Sequence, residues 1–229
     1  MPDLPPTVDV LVPSRRGGAS LERALQSVEA VRAAEPDLQI SVYVEEDPDG
    51  TGPAATRNRA AKRGTGQYLA LLDDDDRWLS PRLAPAVKIL GKKQEIALVC
   101  GDAELASGGR FLANPPPEGG EGRDHGSLAL GWSVCTSTAT LRRADWEAAG
   151  GMNEGFGRAE DYELWLRLTA EGRRIHALPH AMAWRSDGEG LSQDGVAMAQ
   201  ATLEALARSA NMPEGERAFG KYSRMTEGV

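Results

Sequence analysis

Short apolar runs alternate with helix-patterned segments through the N-terminal half, and two of those runs lead straight into carboxylates. Residues 8–12 (VDVLV), 39–44 (QISVYV) and 67–72 (QYLALL) read as buried strands. Between the first two lies a helix reaching about residue 34, with Ser20 as its N-cap and Leu21, Leu25, Val28 and Val31 on one face. A second helix over 53–63 opens on proline, which suits a first helical turn. This alternation predicts an α/β fold, a mostly parallel sheet sandwiched by helices. Ligands of such sheets bind beyond the carboxyl ends of the strands, near a switch in strand order. That rim receives Pro13 and Ser14 after the first strand, and Glu45, Glu46, Asp47 and Asp49 after the second. Asp73, Asp74, Asp75 and Asp76 follow the third.

Charge singles out the same two segments. The 229 residues carry 34 acidic and 26 basic side chains, and the two clusters hold eight carboxylates, the whole of the excess. Consecutive carboxylates repel one another, and a bound cation is one natural compensation. A solvated acidic loop is the plainer reading of a charge run, but such a loop has no reason to recur at strand ends. An isoelectric point near 5.0 without a basic patch argues against nucleic acid as a general partner. Cys100 and Cys135 form no CxxC pair, which argues against a disulfide framework or a structural zinc site. No apolar run approaches the roughly 20 residues of a membrane helix, and the first residues lack a secretion signal, so the expectation is a cytoplasmic protein.

Downstream, the pattern predicts a helix over 80–92, a strand over 96–100, a hairpin around 104–112 and a Pro/Gly-rich loop or lid over 114–126. It continues with a strand over 134–142, a helical turn over 145–149 and an amphipathic helix over 159–171. Strands at 175–178 and 181–184, a helix over 196–209 and a tail over 210–229 complete it.

Taken in order, Val8 to Ser14, Val44-Glu45-Glu46-Asp47, Leu72-Asp-Asp-Asp-Asp-Arg-Trp78, Gly150-Gly151-Met152-Asn153-Glu154 and Glu160-Asp161-Tyr-Glu-Leu-Trp-Leu-Arg167 resemble a family 2 glycosyltransferase of the GT-A fold. The resemblance covers about residues 7 to 192. It implies a Rossmann-like nucleotide-diphospho-sugar transferase that moves a sugar from a nucleoside diphosphate to an acceptor hydroxyl, with inversion and with a divalent metal, Mn²⁺ or Mg²⁺. A single domain over 1–209 is then expected, with a nucleotide-binding half over about 7–103 and an acceptor-binding half over about 104–209. The acceptor class stays open among a glycan, a lipid-linked glycan, a small molecule and a modified polymer.

Residue roles follow the matched motifs. Asp75 aligns with the metal ligand and Asp73 with its ribose-side or water-mediated partner; Asp74 is a further nucleotide-side candidate, although capping of the next helix is the plainer reading of Asp74 and Asp76. Glu46 aligns with the acid that accepts the imide hydrogen of the base, which favours UDP or dTDP; the family usually has Asp-Asp where this chain has Glu-Glu. Pro13 and Ser14 would lie beside the base, and Arg57 would face the nucleotide or, more plainly, solvent. Asp161 aligns with the general base, and Glu160 with a residue that orients the acceptor or supports that base. Arg185 is placed to meet phosphate. Asp187 stands near the position of a family histidine, with His180 as an alternative ligand. Trp132, Trp146 and Trp184 are candidates for sugar stacking or for plain core packing.

General chemistry agrees with these roles. A nucleotide sugar is anionic, so a carboxylate site holds it only through a cation with oxygen ligands, which then acts as a Lewis acid. Asp161 opens a helix whose apolar face is Leu164, Trp165 and Leu168, which sets its carboxylate above the buried face. The helix N-terminus favours the ionised form and burial opposes it.

Three other readings compete. Gly50-Thr51-Gly52-Pro53-Ala54-Ala55 has the layout of a dinucleotide-binding fingerprint, but carboxylates precede it where a pyrophosphate would sit. An Asp-dependent phosphatase would carry its aspartates after the first strand, and here they follow the third. A non-catalytic sugar-nucleotide-binding module is the remaining alternative.

Overall fold

The computed structural model describes residues 4–15, 17–111, 113, 123–129, 132–170, 172–186 and 194–210. The N-terminal half follows the expected order: β1 (Thr7–Ser14), α1 (Ala19–Ala34), β2 (Gln39–Glu46), α2 (Pro53–Arg63) and β3 (Tyr68–Leu71). β4 (Arg77–Trp78), α3 (Ala84–Lys92), β5 (Ile96–Leu105), β6 (Arg110–Phe111) and α4 (His125–Ala129) come next. A 3₁₀ turn (Thr136–Thr138), β7 (Thr140–Arg142), α5 (Arg143–Ala148), α6 (Glu160–Thr169), β8 (Arg174–Arg185) and α7 (Gly195–Ala210) complete the fold.

One sheet runs in the order β2-β1-β3-β7-β5-β8-β4, with β6 paired to β5. β1 is parallel to both β2 and β3, and β5 is parallel to β8, so most of the paired length is parallel. β7 enters antiparallel between β3 and β5. The chain leaves β1 for β2 on one side and returns to β3 on the other. The switch point therefore lies at the carboxyl ends of β1 and β3, beside Ser14 and Asp73.

Both faces of the sheet are covered. Val8, Val10 and Val12 pack under Ala24, Val28 and Val31 of α1. On the other face Leu11, Leu69, Leu71 and Leu98 meet Leu164, Trp165 and Leu168 of α6. The helix–strand–helix layering follows from the period of two in the strands and the three-to-four spacing in the helices. Both cysteines are buried and free. Among the described residues no helix is long and apolar enough to cross a membrane.

Several local expectations are corrected. Ser20 lies within α1, whose N-cap is Gly18 at φ 83°, where only a residue without Cβ sits comfortably. The stretch 134–142 is broken, because the turn at Thr136–Thr138 precedes a strand of three residues. The two strands expected at 175–178 and 181–184 are one, β8, whose pairing with β5 shifts register between Gly101 and Asp102. The loop or lid at 114–126 and the tail at 210–229 fall mostly outside the described residues.

Asp74 and Asp76 do not cap α3. That task falls to Glu35, just past the end of α1, whose carboxylate accepts the backbone N–H groups of Arg82 (2.6 Å), Leu83 (2.9 Å) and Ala84 (2.5 Å). A carboxylate on exposed helical N–H groups is favourable through both hydrogen bonding and the helix dipole. Arg82 is fully buried over Trp78, and burial pushes its guanidinium down to about 9 despite the Glu35 charge. Glu35→Ala orphans three N–H groups and removes the charge facing Arg82, and is expected to cost about 3 kcal/mol. Urea unfolding with an unchanged denaturant slope checks this; a loss under about 0.5 kcal/mol contradicts it.

Candidate active site

The three rim segments converge as the topology requires. Ser14 of β1 pairs in register with Glu46 of β2, and its hydroxyl donates to Asp74 at 2.7 Å, tying the first strand to the third-strand loop. Glu46 is exposed on this rim. Its neighbour Asp47 is buried and accepts N–H bonds from Thr51 (2.7 Å) and Gly52 (2.9 Å) and the Thr51 hydroxyl. Burial works against that charge, but the three hydrogen bonds and Arg59 hold the carboxyl below its usual range. Asp47 thus fills the glycine turn where the dinucleotide reading would put a pyrophosphate.

The four aspartates after β3 have four different surroundings. Asp73 and Asp74 are half-buried, Asp75 is exposed and Asp76 is buried. Asp73 takes a 2.5 Å bond from Arg57. Asp76 accepts the Ser137 hydroxyl at 2.5 Å and the Ser186 N–H at 2.9 Å. Desolvation, then repulsion from Asp73 and Asp74, holds the Asp75 carboxyl above its usual range, opposed by Arg185. Arg185 therefore acts on this loop from the end of β8.

Arg57 joins the two halves of the site. It is buried on α2 and bonds Asp73 through one nitrogen and Glu160 of α6 through the other, at 2.8 Å. Burial disfavours its charge, but Asp73, Glu160 and Asp161 hold it above its ordinary value. Arg57 is thus not a solvent-facing charge; it clamps carboxylates from the loop after β3 and from α6. Beside it, the Asn58 amide donates to the Met152 carbonyl and to Glu154, both at 2.9 Å, and accepts the Met152 N–H. A Cβ on Gly151, at φ 75°, would lie 2.6 Å from the Asn58 oxygen, which is why the glycine pair precedes Met152.

α6 starts from Ala159, held in the left-handed region at φ 55°. Glu160 is buried, and burial followed by the Asp161 charge raises its carboxyl, against the pull of Arg57. Asp161 is half-buried; one oxygen accepts the Tyr162 N–H at 2.7 Å and the other accepts the Thr136 hydroxyl. Sequence reading missed Thr136 and Ser137, because both fall in a β-branched stretch that reads as strand.

Of the remaining candidates, His180 stands apart from this centre. His180 faces the Pro81 carbonyl at 3.2 Å, and β8 carries it about five residues, or roughly 16 Å, from Arg185. Trp146 is core, Trp132 donates to the Ala113 carbonyl at 2.8 Å, and Trp184 has the Arg77 guanidinium stacked 3.8 Å from its centroid. Pro13 is half-buried at the end of β1. Asp187 lies outside the described residues.

No three metal-ligating side chains converge among the described residues. The oxygen donors of Asp73 and Asp75 nevertheless fit a hard divalent cation that shares its coordination with substrate phosphates, the usual manner for Mg²⁺. The repulsion that raises the Asp75 carboxyl is what such a cation would relieve.

The buried Asp76 carboxyl is raised to about 7, by burial and then by Asp73, with Ser137 and Ser186 opposing. In the metal-free protein, native Asp76 keeps its proton between pH 4 and 7, where the unfolded chain has released it. Stability is therefore expected to fall as pH rises through that window, and Asp76→Asn to flatten the slope. Thermal melts in EDTA across pH 4–8 check this; equal slopes contradict it.

The family model for glycosyl transferase family 2 matches residues 23–151, more than half of the chain. The chain belongs to glycosyl transferase family 2. It is 28% identical over 141 residues to the amylovoran biosynthesis glycosyltransferase AmsB of Erwinia amylovora, covering 57% of this chain and 45% of that one. It is 27% identical over 126 residues to the UDP-Glc:alpha-D-GlcNAc-diphosphoundecaprenol beta-1,3-glucosyltransferase WfaP of Escherichia coli, covering 53% and 46%. The chain spans about half the length of the curated relatives it matches. Among solved structures, the fold is similar to S. aureus TarS 1-349 in complex with UDP-GlcNAc, with TM-score 0.69 and 16% identity over 93% of this chain and 69% of that one. It is also similar to the mannosyltransferase PcManGT of Pyrobaculum calidifontis in complex with GDP-Man and Mn²⁺, with TM-score 0.64 and 19% identity over 91% and 66%.

Proposed function

We propose that this chain is a catalytic domain, over residues 1–209, that transfers a sugar from a nucleoside diphosphate to an acceptor hydroxyl with inversion. The observation that carries this is the Asp73–Arg57–Glu160 bridge, which joins the acidic loop at the switch point to the helix bearing Asp161.

Each residue has a task. Asp75, with Asp73 beside it, would hold a divalent cation, Mn²⁺ or Mg²⁺, whose chemistry there is neutralisation of charge on the departing diphosphate. Arg185 adds positive charge on the same side. Glu46, Pro13 and Ser14 border the base, with UDP or dTDP favoured because an exposed carboxylate can accept an imide hydrogen. Asp74, tied to Ser14, links the base rim to the acidic loop. Asp161 takes the proton of the acceptor hydroxyl as its oxygen attacks the anomeric carbon opposite the diphosphate. Glu160 and Arg57 hold that base in register with the donor. Relatives named for amylovoran biosynthesis and for an alpha-D-GlcNAc-diphosphoundecaprenol acceptor support a glycan or lipid-linked glycan as acceptor.

Calorimetric titration of UDP, dTDP, GDP and CDP in Mn²⁺, in Mg²⁺ and in EDTA, with NAD as control, tests the donor side. Metal-dependent binding of one diphosphate, and none of NAD, is the expected outcome. Binding of NAD, or of no diphosphate under any condition, sinks the proposal.

A further inference from the structure

We propose that Thr136 is a positioning residue for the acceptor step: its hydroxyl holds the Asp161 carboxylate in the orientation that receives the acceptor proton. The assignment rests on Asp161 being the base. Thr136 donates to Asp161 Oδ2, and the Tyr162 N–H donates to Oδ1. An ionised carboxylate has about two lone pairs on each oxygen, so these bonds fix its plane and leave acceptor capacity on both atoms.

The element that carries Thr136 is anchored on the donor side. Ser137, the next residue, accepts the Asp73 N–H at 3.1 Å and donates to Asp76, and its carbonyl accepts the Trp78 indole N–H at 2.9 Å. The turn is closed by the Thr138 and Ala139 N–H groups, and the Leu71 N–H bonds the Ala139 carbonyl, which ties it to β3. Consecutive hydroxyls on one rigid turn thus point to the base on one side and to the acidic loop on the other. This pair sets the base relative to the departing diphosphate, a distance to which in-line attack is sensitive.

The test measures release of UDP from UDP-glucose and UDP-GlcNAc in Mn²⁺, with water as acceptor. Thr136→Val keeps the shape and loses the hydroxyl, and is expected to lower kcat about tenfold to a hundredfold. KM for the nucleotide sugar should stay within about twofold, the mark of an interaction made in the transition state. Thr136→Ser restores kcat to within about threefold of wild type, and Thr136→Val adds no further loss in an Asp161→Asn background. If Thr136→Val melts below the wild-type temperature, Thr136→Ala takes its place in the same comparison.

Wild-type kcat in Thr136→Val, an equal loss in Thr136→Ser, or an additive loss on top of Asp161→Asn each overturns the assignment. Turnover that is lost in Asp161→Asn and intact in Thr136→Val overturns this assignment alone. A wild-type protein that turns over no nucleotide sugar overturns the glycosyltransferase reading and this assignment together.

Discussion

Asp161→Asn is expected to lower turnover by about 10² to 10⁴, or about 2.7–5.4 kcal/mol of barrier, while leaving nucleoside diphosphate affinity unchanged. The substitution is nearly isosteric, and the amide oxygen can still accept the Thr136 hydroxyl or the Tyr162 N–H. What disappears is the charge and the basic oxygen. Asp161 sits on α6, and among the described residues Arg57 and the 136–138 turn stand between it and the acidic loop, so on the proposed reading donor binding has no direct contact with it to lose. Calorimetry with UDP in Mn²⁺ and a UDP-release assay on the same preparation separate the two quantities. Equal loss of both would mean that Asp161 binds donor and is not the base.

The second large effect belongs to Asp75. Without a cation, the carboxylates of Asp73, Asp74 and Asp75 repel a diphosphate, and Coulomb energies at about 4 Å run from about 1 kcal/mol in water to about 4 near a protein surface. Asp75→Ala is expected to weaken UDP binding in Mn²⁺ at least about a hundredfold, which is about 2.7 kcal/mol. In that variant EDTA should make no further difference, because the metal-dependent component is already gone. The contrary result, wild-type affinity in Asp75→Ala, would move the metal to another carboxylate of the loop; Asp73→Asn is then the informative companion.

Much of the architecture was legible because it is written locally. β1 and α2 follow from an apolar run and from a helix pattern opening on proline, and both have their expected place. The acidic clusters lie on one rim because parallel strands place all their carboxyl ends together. What escaped the sequence lies across long separations. Glu35 caps a helix that begins 49 positions later, and Ser14 reaches Asp74 over 60. Asp74 and Asp76 are nearer in sequence and better cap residues by type, so capping by them is the plainer local expectation.

The 136–138 turn was lost for a different reason. Val134 to Thr140 is rich in β-branched residues and reads as strand, but the Thr138 hydroxyl bonds the Cys135 carbonyl at 2.7 Å and bends the chain. Such side-chain bonds compete with sheet pairing, and a period of two cannot reveal them. Arg57 is a candidate from its motif, but its burial between two carboxylates follows only from the packing of α2 against α6 and the loop after β3.

In the proposed reaction the bond between the anomeric carbon and the diphosphate breaks while Asp161 takes a proton on the opposite face. Proton and phosphorus NMR of UDP-glucose and UDP-GlcNAc incubated with the protein, Mn²⁺ and candidate glycan acceptors reads that bond directly. UDP is expected to accumulate together with a sugar of inverted anomeric configuration, and neither is expected with Asp161→Asn. Retained configuration, or UMP with sugar phosphate as products, would contradict it.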